Sequence, residues 1–375
     1  MVLTGASAVS SARLKALRAE LAALAVISPG NSGGFATVLP TEPMAVGRWA
    51  LGVADINWAV VSSGLDFLES AVDHLAKGDE RDLRYGALHV TAAIEVLLKA
   101  QLAREHWTLV VSDVNRARRA EYETGNFHSV TIAVALERLR NVAGSSITER
   151  EVSRITAVEK LRNRVAHFAL HGENPRRTEA VVAGGLDVLL HLIDREFLPD
   201  ADTAERELVE NTLDLVRVRL GTIAVLIRER MSSLKPELDS APYPVLTCPG
   251  CSQSAYVLGD GEPGRCAYCL HHPFGEAAAD EYVSSVLRLN SYEVSKDGES
   301  WPVHNCLNCS AEAFVAGVLP VDGTGDDRTV YACFACGYSC TDGDVDQCHR
   351  CGVLTYRPED GLAVCAECTA AWMAD

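Results

Sequence analysis

No stretch of about 18 apolar residues free of charge occurs in this 375-residue sequence. The segment from Met1 to Arg18 also lacks the basic region, apolar region and small-residue cleavage site of a secretory signal. These two absences set the expectation of a cytosolic chain with no membrane partner. Basic charge is scarce as well. The formal net charge is −17, shared unevenly: residues 241–375 hold 19 Asp and Glu against 6 Lys and Arg, whereas residues 1–240 hold 32 against 28. Neutralising phosphates is what gives a nucleic-acid reader most of its nonspecific affinity, and that needs a basic footprint. The last third of the chain has none, so a protein partner is expected there.

β-prone patterning is missing before residue 240. The sequence reads instead as helices over 7–26, then 46–77 and 81–105 after a Gly/Ser/Pro linker, shorter ones over 113–122 and 129–142, and long ones over 148–170, 177–196 and 203–232. After Lys235-Pro236 and the Ser240–Pro244 segment the helical period stops. Short β-prone pieces follow at 255–258, 313–318, 329–332 and 353–356, with one helical insert near 276–289. The expected class is therefore α+β. An N-terminal helix and linker (1–44) precede a helical bundle (45–235), and three small β-rich modules follow (245–275, 300–340, 345–375).

Cysteine is abundant, 13 residues, and confined to that last third. Twelve form Cys-x2-Cys couples: Cys248/Cys251 with Cys266/Cys269, Cys306/Cys309 with Cys333/Cys336, and Cys348/Cys351 with Cys365/Cys368. In a reducing compartment such spacing points to metal rather than disulfides. Each couple places two thiolates on one side of an ion, and a hairpin between couples closes a tetrahedron. The modules resemble zinc ribbons. Three structural four-cysteine zinc sites are expected, with iron the alternative, and closed coordination argues against chemistry at the metal. Cys340 is left over, and His271, His272, His304 and His349 are expected to be redundant as ligands.

The helical part carries one string of chemical interest, Arg162-Asn163-Arg164-Val165-Ala166-His167. Val158, Leu161, Val165 and Phe168 form an apolar stripe on its helix, which leaves Asn163 and His167 facing away. Arg162 and His167 stand about 140° apart around one helix axis, so a composite site between two copies would gather them more easily. Upstream, Glu95 lies in the helix Leu88–Ala100 on a face shared with Leu88 and Leu102. That placement calls for a cationic partner: Arg162, or Lys99 one turn on.

Arg162, Asn163 and His167, together with the Glu95 helix, resemble the HEPN superfamily over roughly residues 45–200. The resemblance implies an all-α, dimeric domain that cleaves RNA without metal, using the ribose 2′-hydroxyl as nucleophile. It implies that His167 moves the proton, that Arg162 holds the phosphate, that Asn163 orients the imidazole or the phosphate, and that Glu95 supports the site. A toxin or phage-defence role follows by the same analogy. The alternatives are a non-catalytic dimeric adaptor and a nucleic-acid-binding regulator that works through the ribbons. Arg116, Arg118, Arg119, Arg138, Arg140, Arg176 and Arg177 could flank an RNA groove or form an ordinary solvated surface. The acidic arm could also dock on this Arg-rich face and restrain it.

Overall fold

The computed structural model describes residues 53–167, 174–259, 262–296, 300–320, 329–359 and 361–374. The expected helix over 7–26 and its linker, the start of the helix expected from 46, Phe168 and His171 lie outside these residues.

A helical body comes first, and polar caps set its helix starts. α1 spans Val53–Lys77. α2, Glu80–Glu105, starts where the Asp79 carboxylate accepts from the Asp82 N–H at 2.7 Å. Two 3₁₀ turns, Trp107–Val110 and Val114–Arg116, lead to the short α3, Arg119–Glu123. α4, Ile132–Arg138, runs on into a π turn over Leu139–Ala143. α5, Glu149–His167, opens on a capping box: Thr148 N–H donates to Glu151 at 2.7 Å and Glu151 N–H donates back to the Thr148 hydroxyl at 3.3 Å. α6, Pro175–Leu192, has Asn174 as its cap and Pro175 at its first position.

α2 is central, touching α1, α5 and α6. Among the described residues it is the one helix long and apolar enough to cross a membrane, and 61% of its apolar window is buried within the protein. Its crossing with α5 and α6 depends on Gly185, where a β-carbon would come within 3.0 Å of Val90 and 3.2 Å of Val158.

The helix expected over 203–232 is two helices, α7 (Thr203–Leu220) and α8 (Ala224–Asp239). Gly221 caps α7 and packs against the carbonyl oxygen of Cys251, which leaves no room for a β-carbon there. The helix expected over 113–122 is likewise reduced to a 3₁₀ turn and α3. Among the described residues no named strand precedes residue 245, and one isolated bridge joins Val111 to Ser129.

Three antiparallel sheets follow: β1 (Val245–Thr247), β2 (Ser254–Val257) and β3 (Arg265–Cys266); β4 (Val303–Asn305), β5 (Glu312–Val318), β6 (Val330–Cys333) and β7 (Ser339–Thr341); β8 (Val345–Gln347) and β9 (Leu354–Tyr356). β1, β3, β4, β7 and β8 were not legible as strands in the sequence. Each sheet opens with the same register, pairing Thr247 with Ser254, Asn305 with Glu312 and Gln347 with Leu354, so one hairpin recurs three times. Helices α9 (Gly275–Ser285) and α10 (Ser291–Lys296) lie between the first two sheets, and α11 (Ala366–Ala374) ends the described chain. Modules one and two share a core in which Phe334 meets the rings of Tyr256 and Tyr282, with centroids 5.9 and 5.0 Å apart.

Candidate metal centres and the Arg162–His167 helix

The loop of each recurring hairpin is a cysteine knuckle, and each module has a second knuckle further along the chain. The residue after the second cysteine donates its N–H to the carbonyl of the first: Ser252 to Cys248, Leu270 to Cys266, Ser310 to Cys306, Gly337 to Cys333, Gly352 to Cys348 and Thr369 to Cys365. In five of the six that residue takes a left-handed backbone, with φ between 60° and 77°. For Ser252, Leu270 and Ser310 this costs about 1 kcal/mol or more apiece, a cost that metal binding can offset. Glycine at 337 and 352 avoids it.

The knuckles bring the predicted cysteines together as three tetrads, the ligand atoms of each within 4.8 Å of one another. Facing sulfurs are 3.7 and 3.8 Å apart in the first, 3.7 and 3.7 Å in the second and 3.6 Å in the third. A tetrahedron of about 2.3 Å metal–sulfur bonds has an edge of about 3.8 Å, whereas a disulfide needs about 2.05 Å. The arrangement can hold a metal ion and is far too open for sulfur–sulfur bonds.

Comparisons with protein-family models, curated proteins and solved structures find no match.

The surroundings of the tetrads differ. All four sulfurs of the first are buried, and burial pushes the Cys266 thiol well above its ordinary value. Metal binding there must displace protons from a dry site. In the third, backbone N–H groups of Cys365 and Cys351 draw the Cys348 thiol down to about 6, and Cys351 is exposed. Cys340, on β7, belongs to no tetrad and is half-buried. Nε2 of His271 bonds with Glu281 at 2.7 Å, and Nε2 of His272 lies 3.2 Å from Glu210.

The first tetrad is bonded into the helical body. Arg230 of α8 is fully buried, and its Nε and Nη2 donate to the carbonyls of Tyr268 and Ala267, at 2.6 and 2.8 Å, between two of the ligands. Its Nη1 donates at 2.8 Å to Asp187 of α6, also fully buried. Asp187 further accepts from Ser233 at 2.9 Å and from Arg154 of α5. Desolvation would raise the Asp187 carboxyl, but Arg230, His191 and the hydrogen bonds of Arg230 and Ser233 hold it below the usual range. Beside it, burial and Arg230 press the His191 imidazole down to about 4. The Tyr268 hydroxyl donates to Leu220 at 2.8 Å, and Arg265 pairs with Asp194. Sequence reading missed Arg230 and Asp187, because an isolated charge in a helical repeat looks like solvated surface.

On α5, Val158 and Leu161 are buried, Val165 is partly so, and Asn163 and His167 are exposed, matching the predicted stripe. Arg162 is half-buried and donates to its neighbour Asn163 at 2.9 Å. Asn163 lines a groove of about 530 Å³ between α5 and α6 together with Lys160, Arg164, Arg177 and Thr178. The Glu95–Arg162 pairing is not what forms. Glu95 accepts from Lys99 at 2.6 Å, and Lys99 also donates to Ser129 at 2.9 Å, so the carboxylate is neutralised one turn along its own helix. His89 bonds through Nδ1 to Ser70 at 2.8 Å.

Proposed function

We propose that this protein is a HEPN-type, metal-independent endoribonuclease that works in the cytosol as a homodimer. Its cysteine modules bind zinc and offer an acidic surface to a protein partner. The observation that carries the reading is the exposed face of α5, where Asn163 lines a groove with Lys160, Arg164 and Arg177, and His167 stands one helical turn further on. Such a groove suits a phosphodiester. Arg162 binds the phosphate and stabilises its developing charge. His167 takes the proton of the 2′-hydroxyl, or returns one to the leaving oxygen. The 2′ oxygen bonds to phosphorus as the P–O5′ bond breaks, which gives a 2′,3′-cyclic phosphate and a 5′-hydroxyl without consuming water. A second copy supplies the opposite face of the site. A toxin or phage-defence role is the setting the resemblance implies.

Zinc is the metal proposed for the three tetrads because four thiolates at tetrahedral spacing suit it. Elemental analysis should give three zinc ions per chain, and iron in their place would overturn this assignment. The Lys99–Glu95 pair, which takes the expected supporting carboxylate away from Arg162, favours a second reading as a non-catalytic dimeric adaptor.

The deciding experiment is induced expression of the full chain in bacteria, wild type beside His167→Ala and Arg162→Ala. Growth arrest by the wild type alone, with 2′,3′-cyclic phosphate ends on cellular RNA, supports the nuclease. Equal behaviour of the three supports the adaptor.

A further inference from the structure

Of the three tetrads, the first is the one whose ligand loop supplies hydrogen-bond acceptors to a fully buried charge. The Cys266-Ala267-Tyr268-Cys269 knuckle points two carbonyls at Arg230, whose third contact, Asp187, is shared with Arg154 of α5 and Ser233 of α8. One hydrogen-bonded path therefore runs from the metal ligands through α8 and α6 to the helix that bears Arg162 and His167. A second path holds the same centre to the end of α7, through Tyr268 to Leu220 and, beside the Cys248–Cys251 knuckle, through Gln253 to Gly221.

Four thiolates around a divalent ion keep a net charge of −2, and a guanidinium bonded to the intervening backbone offsets it. Without the ion, nothing ties the four sulfurs, which lie within 4.8 Å of one another, to a common point. The knuckle is then free to shift, and the Ala267 and Tyr268 carbonyls shift with it. Arg230 would then be a buried cation stripped of two acceptors, a state that proteins avoid by local unfolding.

We infer that the first cysteine centre is a metal-dependent lock on the helical body: occupancy of Cys248, Cys251, Cys266 and Cys269 fixes α8, α6 and α5 through Arg230 and Asp187, and Arg230 is a positioning residue for that metal. The lock stands whether or not the protein cleaves RNA.

The test is hydrogen exchange on the full, metal-loaded chain during graded chelation, with thiol alkylation in the same samples reporting which tetrad has emptied. Peptides from 151–161, 182–192 and 224–239 should lose protection in step with alkylation of Cys266 and Cys269, and not with that of Cys351 and Cys368. Arg230→Met, which keeps the bulk and removes the donors, should weaken zinc binding at the first centre by about 10- to 100-fold and leave the third unchanged. Emptying of the first centre with these helices still protected would overturn the lock. So would an Arg230→Met chain that binds zinc at the first centre as tightly as wild type.

Discussion

The first and third cysteine centres share a knuckle and a register but differ in everything around them. At the first, all four sulfurs are buried and the loop is bonded to α7 and α8, and through Arg230 to α6. At the third, Cys351 is exposed, Cys365 and Cys368 are half-exposed, and Val353, Tyr356, Leu362, Trp372 and Met373 face solvent in the same module. The same four-cysteine arrangement thus sits within a core in one place and in a small, more exposed module in the other. What differs is the partner of the backbone between the ligands: a buried guanidinium from the helical body in the first, and Ala363 of the same small module in the third.

The largest expected effect separates the two by substitution. Structural zinc contributes about 10–16 kcal/mol in small modules, more than the roughly 5–15 kcal/mol net stability of a domain. Cys266→Ser should therefore abolish the cooperative thermal transition seen by circular dichroism at the helical band. Cys351→Ser should leave that transition within about 2 °C of wild type, and equal losses from both would erase the distinction. Next comes metal exchange: the third centre should surrender its ion to a competing chelator at least about tenfold faster than the first, since exposed sites open by smaller fluctuations.

Acid sharpens the comparison from the side of the buried network. Unfolded His191 takes a proton near pH 6.5, whereas in the fold burial and Arg230 hold it at about 4. Between those values the unfolded chain binds more protons. This contribution to stability is complete above pH 6.5 and is lost as pH falls toward 4, by at most about 1.4 kcal/mol per unit. Denaturant midpoints of wild type should fall through that window more steeply than those of His191→Gln. The smallest effect expected is that of Tyr268→Phe, which loses one buried hydrogen bond to Leu220 and about 1 kcal/mol, with no change at the third centre.

The sequence made local chemistry legible and left tertiary arrangements hidden. Cys-x2-Cys spacing reported the tetrads because both ligands of a couple lie in one turn, and the period of Val158, Leu161 and Val165 gave the buried face of α5. The break at Gly221 was marked in the sequence only by the glycine itself, and its lack of room for a side chain depends on the Cys251 carbonyl, thirty residues downstream. β1, β4 and β8 are three-residue strands, too short to show alternation, and are set by the knuckles that follow them. Both partners for Glu95 were readable from its helix position, but only packing could choose Lys99 over Arg162. Arg230 gave no sign of its burial, because its acceptors belong to the cysteine loop.

The contact between Arg230 and the second knuckle also has a vectorial side. Asp187 and Arg230 leave a ribosome ahead of Cys269, which follows Arg230 by 39 residues. At about 5–20 residues per second this interval lasts about 2 to 8 s. During it the helices can collapse on their apolar faces while the guanidinium still faces water. If the inferred lock holds, the nascent chain would close its interior only when the last sulfur arrives with an ion, and metal supply at the moment of synthesis would govern how much protein matures.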